Sequence, residues 1–467
     1  MRVKHKRFGK DYQMMWARTG YLKFSFGILL VLLIFNMAFG LLINLESATV
    51  HRLIFEGVDI KLLLVILVYG WILLFFAMRD RPNVLIDSAV FRVVLLFQLY
   101  ALFDWIVLWF HGYPATYFLF SFLVMYFYPT ILLVVVVSPY SIDLTWITKR
   151  KDGLYGRIWL IYGGIALIMF PLAIWQYHTD KFIVPSSLFN GYWVLLSATF
   201  AATNHVRATG FFDSGAALGQ FSGWIVAFSL ARLLFLKSYP RKVVDGVWVL
   251  VAGYVTAITL TRTTYVYEFL VILTLILLKG RNGVTRVLPY FYVIVTIIGL
   301  LVGSVVVRHN LNTLGLVNTL SLSIRYQEWA NEWQLYVVHS SVWNILFGRG
   351  LLQNPRFSLT KGLIIDNSYL AIYIYSGFFG LIAFFTFFAV VWRWIVERFR
   401  RTNSWFVAAF AAKMSALLVI GLVGNEGFGS YDFFLLLAII LLVESSVKTL
   451  KIRSNNLSGP EAPALIK

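Results

Sequence analysis

Four arginines stand apart from the chain's basic clusters: Arg207 in RATGFFDSGAALGQF, Arg262 in TLTRTT, Arg325 in SIRYQEW and Arg349 in NILFGRG. Arginine is well shaped to hold phosphate, because its planar guanidinium makes paired, charge-assisted hydrogen bonds and stays protonated. Four such groups on separate elements could converge on one pyrophosphate. The alternative for each is that it snorkels to lipid headgroups or pairs with a carboxylate such as Asp213, Glu268 or Glu328. Chemistry that moves a proton would need an acceptor as well. Asp366 and His339 are the candidates; Asp366 directly precedes an apolar run and would serve as well as a helix N-cap. Asn367 and Tyr369 could hydrogen-bond a ligand, or serve as a cap and an interfacial anchor. Trp329 and Trp333, four residues apart, put two rings on one helix face, for stacking on sugar or for anchoring at an interface.

The elements that must position these residues are apolar helices. Of the residues, 60% are hydrophobic and only 13% charged, against roughly 25% charged in a soluble domain. An all-α, polytopic membrane protein is the expected class. The net charge of +19 would fit a nucleic-acid binder, but Lys and Arg also collect in the cytoplasmic loops of membrane chains, so no polyanionic partner is required. The chain has no cysteine, which excludes disulfides and thiolate metal sites. It has no Walker loop, dinucleotide fingerprint or H-E-x-x-H segment, and neither metal nor cofactor is expected.

The run from Val243 to Leu278, at about 1.5 Å per residue, is nearly twice the roughly 30 Å hydrocarbon core. It is therefore cut at Arg262. About twelve spans are predicted, near 24–44, 58–78, 88–111, 115–137, 154–175, 215–236, 244–261, 263–279, 287–307, 369–391, 405–424 and 431–447. If all cross, the basic clusters at the N-terminus, Arg79 and Arg81, Lys149 to Lys151, Lys237 to Lys242, Lys279 to Arg286, Arg398 to Arg401 and Lys448 to Arg453 fall on one side. Both termini are then cytoplasmic. The first span lacks a small-x-small cleavage site and reads as a retained anchor. The division is a basic head, 1–23, one membrane domain, 24–447, and a polar tail, 448–467. Two segments on the far side, 176–214 and the long loop 308–367, exceed a turn and are expected to form a helical extracytoplasmic lobe.

Within this frame the motifs resemble those of the Wzy-type O-antigen polymerase and O-antigen ligase superfamily, whose members are polytopic, GT-C-like membrane glycosyltransferases. RATGFFDSGAALGQF is similar to the family's R-x-x-G-x-F segment, and LTRTT to its hairpin arginine. SIRYQEWANEW followed by NILFGRGL resembles the R-x-x-x-W helix and closing G-x-G. DNSYLAIYIYSGFFGLIAFF resembles H-N-x-Y-L followed by a G-x-x-G helix. The four matches keep the family's order and cover roughly 207–385.

The resemblance implies a polymerase on the outer face of a bacterial inner (plasma) membrane. Donor and acceptor would both be glycans on undecaprenyl diphosphate, joined with inversion and without nucleotide or metal. Membrane lipids and a chain-length regulator are the further partners it allows; nucleic acid is not one. Arg207 and Arg262 would grip the diphosphate, with Arg325 as a third cation on phosphate or acceptor. Asn367, Tyr369, Trp329 and Arg349 would position sugar or acceptor. The ligase branch has histidine where this chain has Asp366, a departure that argues against a ligase and leaves the base open. A ligase remains the close alternative, and a flippase or a scaffold the alternatives of another class. A flippase built as an inverted repeat would show two related halves, whereas the distinctive residues here cluster in the second half.

Overall fold

The computed structural model describes residues 88–110, 151–181, 206–210, 212, 215–236, 239–280, 329, 331–349, 368–421 and most of 433–444. Among these residues every regular element is a helix: α1 (Ser88–Phe110), α2 (Lys151–Thr179), α3 (Gly215–Phe235), α4 (Tyr239–Ile258), α5 (Arg262–Lys279), a π-helical turn (Gln334–Val338), α6 (Val342–Phe347), α7 (Ser368–Thr402) and α8 (Trp405–Ile420). Three of them, spanning Gly153–Thr179, Gly215–Phe235 and Ser368–Thr402, are long and apolar enough to cross a membrane. The all-helical expectation holds for this part of the chain. The spans expected at 24–44, 58–78, 115–137 and 287–307 lie outside the described residues, as do most of the 308–367 loop and both termini.

Helix α3 is the hub, and three glycines explain why. Gly215, Gly219 and Gly223 recur every fourth residue, so they form one bare stripe that lets neighbouring backbones close in. A Cβ on Gly219 would lie 2.5 Å from Thr264 Cγ2, and one on Gly223 would lie 3.1 Å from the Tyr267 ring. Both neighbours are on α5. Around α3 pack α4, α5 and α8, and Ser222 donates a 2.7 Å hydrogen bond to the Ala252 carbonyl of α4. Aromatic rings fill the remaining space: Tyr155 stacks on Phe406 at 4.3 Å, and Phe228 on Phe406 at 5.2 Å.

One end of this bundle is pinned by charge. Arg232 of α3 pairs with Asp245 of α4 at 2.9 Å, and its guanidinium lies over Trp159 and Trp405 at 5.6 and 5.3 Å. Nearby, the Tyr155 hydroxyl donates to buried Glu444 at 2.9 Å. The opposite end carries the α4–α5 turn and Arg262.

Midway along α8 a lysine is 1% exposed. The Lys413 ammonium donates to the Gln220 carbonyl at 3.0 Å and sits 4.0 Å from the Tyr267 ring and 4.6 Å from the Trp224 ring. Its charge also acts on Glu268 of α5. A buried cation needs such partners, and removing one member of a buried pair strands the other. Lys413→Met is therefore expected to cost about 3 kcal/mol of stability. Adding Glu268→Gln should recover part of that loss in detergent melting curves. Strictly additive losses would show that the two charges do not couple.

Helix α7 is broken. At Gly377 the backbone takes φ 64°, ψ −166°, a conformation open essentially to glycine alone. The segment ending α6 wedges into the break: Arg349 N–H donates to the Ile374 carbonyl at 3.1 Å, and the Tyr100 hydroxyl of α1 donates to the Ser376 carbonyl. Phe347 is packed between Phe103 and Phe379, each at 5.3 Å. These contacts satisfy carbonyls that a continuous helix would have used itself.

Candidate functional site

The apolar run at 243–278 does divide at its arginine. Helix α4 ends at Ile258 and α5 begins on Arg262. Between them Leu260 has φ 51°, a left-handed conformation that a branched apolar residue adopts only when its surroundings hold it there. Hydroxyls do the holding. Thr259 Oγ1 donates to the Thr256 carbonyl at 2.7 Å, Thr264 Oγ1 to the Thr261 carbonyl at 2.6 Å, and the Tyr265 hydroxyl to the Ala257 carbonyl at 2.6 Å. The turn therefore presents Arg262 in the first turn of α5, where unused backbone N–H groups and the helix dipole also favour an anion.

Arg207 is carried to the same place by a short loop. Gln176, the last buried polar residue of α2, clamps that loop: its Oε1 accepts from the N–H groups of Thr209 and Gly210, both at 3.0 Å, and its Nε2 donates to Thr209 Oγ1 at 3.2 Å. Val206 N–H donates to Asp180 Oδ1 at 2.9 Å, and Ala208 N–H to the Ile258 carbonyl at 3.2 Å. Gly210, with φ 58°, turns the chain into α3. Arg207 is thus tied on both sides to α2 and α4. The charges of Arg207 and Arg262 both act on the Tyr265 hydroxyl, so two guanidinium groups remote in sequence share one small region. Arg262 is exposed and Arg207 half-buried.

No carboxylate among the described residues pairs with Arg262. Glu268, one of the partners considered for it, lies about 9 Å further along the helix by its six-residue offset, against Gly253 and within reach of Lys413. Asp213, Glu328, Arg325, Asp366 and Asn367 lie outside the described residues.

The remaining expected site residues gather elsewhere. Trp329 is half-buried just before the π-helical turn. Trp333, 47% exposed, stacks on Tyr373 of α7 with centroids 5.9 Å apart. Arg349 is spent on its own neighbourhood: Nη2 donates to Ser340 Oγ at 2.6 Å and the guanidinium lies 5.2 Å from the Tyr336 ring. Tyr369 seals α7 onto α8 by donating to the Leu418 carbonyl. His339 sits exposed in the turn after the π segment, its N–H donating to the Gln334 carbonyl. The described contacts therefore bring together Arg207 and Arg262, and separately set Trp333 and Arg349 beside the broken helix. Among the described residues no group of three His, Asp or Glu is placed to hold a metal ion.

No protein-family model and no curated protein matches the chain.

Four members of this neighbourhood are not among the residues singled out from the sequence. Tyr177 and Tyr265 lie within electrostatic reach of one another, and His178 Nε2 is 2.8 Å from the Tyr254 hydroxyl. Tyr177 and His178 do carry a sequence signal, a polar Q-Y-H-T end on an apolar span, the composition of a helix terminus facing something other than hydrocarbon.

Proposed function

We propose that the protein is a polysaccharide polymerase that joins undecaprenyl-diphosphate-linked repeat units at the extracytoplasmic face of a bacterial inner membrane. The observation that carries this reading is the convergence of Arg207 and Arg262 at one end of an apolar helix bundle. A lipid diphosphate presents its charge at headgroup level, and two fixed guanidinium groups at the end of an apolar bundle suit it. The twelve-span topology with cytoplasmic termini belongs to the same proposal. It puts the ends of α2 and α4 and the starts of α3, α5 and α7 on the outer side, and with them every expected site residue.

The chemistry follows from the leaving group. The acceptor hydroxyl oxygen attacks the anomeric carbon of the donor. The bond from that carbon to phosphate breaks, and its electron pair leaves on the lipid diphosphate. Charge grows on the diphosphate in the transition state, so preorganised cations stabilise it more than they stabilise the ground state. Arg325 is the third cation of this scheme. Asn367 and Trp329 position sugar or acceptor, since Arg349 and Tyr369 are engaged within the fold, and Asp366 is an orienting carboxylate.

Purified protein reconstituted with one lipid-diphosphate-linked repeat unit, without nucleotide or added metal, should produce a ladder of longer lipid-linked glycans. Transfer to a different lipid acceptor with no ladder would mean a ligase. Passage of the unextended unit to the opposite leaflet would mean a flippase.

A further inference from the structure

We infer that His178 is the base that receives the acceptor's hydroxyl proton, an assignment that rests on the polymerase reading above. His178 belongs to the last turn of α2. Two residues before it, Gln176 clamps the loop at Thr209 and Gly210. Two residues after it, Asp180 holds Val206, the neighbour of Arg207. The imidazole is exposed, so an incoming glycan can reach it. Its Nε2 lies 2.8 Å from the Tyr254 hydroxyl of α4, one turn before the carbonyl of Ile258 that anchors the Arg207 loop.

That contact is compatible with a proton on either ring nitrogen, and the role as base requires the tautomer in which Nε2 carries it. With Nε2–H donating to the Tyr254 oxygen, the lone pair of Nδ1 is left to accept a proton. In the transfer step the acceptor oxygen bonds the anomeric carbon, the diphosphate leaves with the electron pair, and the hydroxyl proton moves to His178 Nδ1. Tyr254 is a positioning residue that holds the ring.

Other polar groups surround the imidazole. Tyr177 flanks it on α2, Tyr254 faces it from α4, and Asp180 lies just beyond the helix end. Arg207 on the loop, and Tyr265 and Arg262 on α5, make up the rest of the neighbourhood. Asp366 and His339 are not needed for this role.

The test uses the reconstituted full chain with the lipid-diphosphate-linked repeat unit. His178→Ala should lower kcat about 100-fold with little change in the donor KM, and should flatten the acidic limb of the pH–rate profile. Added imidazole should restore part of its turnover, which a purely structural role would not allow. Should His178→Ala fail to fold, His178→Gln carries the same test. A His178 variant that folds and turns over like wild type overturns the assignment and leaves the polymerase reading standing. A variant with reduced turnover that imidazole does not rescue and whose pH profile keeps its shape also overturns it. Wild-type protein that binds the donor and forms no ladder overturns both.

Discussion

Arg262→Ala is expected to reduce chain extension by about 100- to 1,000-fold, the usual cost of removing one preorganised donor from a developing anion. Arg207→Ala should do the same. The informative variants are the lysines. A snorkelling arginine needs only a charge on a long stem, and lysine supplies both. A guanidinium that grips diphosphate needs the planar fork, which lysine lacks. Arg262→Lys should therefore lose most of the activity. Full activity in Arg262→Lys would reduce Arg262 to a lipid anchor, in keeping with its exposed position in the first turn of α5. The two arginines should also couple. If both hold one diphosphate, the double alanine variant should cost less than the sum of the two single losses, because the first loss already releases the anion. Independent, additive losses would separate the two residues into different sites.

The sequence was most informative where a single residue type carries a large cost. An arginine inside an apolar run too long for one helix marked a break, and the helices do end and restart at Ile258 and Arg262. Helix content followed from the apolar runs in the same way. Contacts between residues distant in sequence were not legible. Nothing in WFVAAFAAKMSALLVI tells where the Lys413 ammonium goes, and its partners Gln220, Trp224 and Tyr267 come from two other helices. Glu268 is a natural partner for an arginine by its place in the same stretch, but six residues of helix separate it from Arg262, and its hydrogen bond goes to Thr256. The clamp by Gln176 on Thr209 and Gly210 was hidden for the same reason. One pattern was there to be read: the spacing of Gly215, Gly219 and Gly223 marks a packing stripe. The segment holding it joins the Arg207 loop to the helix that α5 packs against, so the same residues bear on both the fold and the site.

Gly377 is where the fold is expected to be most sensitive. A Cβ there would lie 2.4 Å from the Leu346 carbonyl oxygen and 2.5 Å from Gly348 N, and one on Gly348 would lie 2.0 Å from the Tyr375 carbonyl oxygen. Both glycines also have positive φ, at 64° and 80°. The atoms struck are backbone, so no rotamer change can relieve the overlap; the wedge formed by α6 and Arg349 must move out of the break. The strained conformation alone costs about 1–3 kcal/mol, and the overlap adds to it. Gly377→Ala and Gly348→Ala should each fall by at least about 3 kcal/mol or fail to yield monodisperse protein in detergent. Gly164→Ala is the control, since α2 leaves nothing within 4 Å of a Cβ at that position; it should gain up to about 1 kcal/mol from better helix propensity. The break also sets the geometry around it. Straightening α7 would displace Tyr373 from Trp333 and withdraw the Ile374 carbonyl from Arg349 N–H. A partly folded Gly377→Ala protein should therefore show altered Trp333 fluorescence as well as a lowered melting temperature. If Gly377→Ala melts and fluoresces like wild type, α7 is a continuous helix and α6 does not occupy the break.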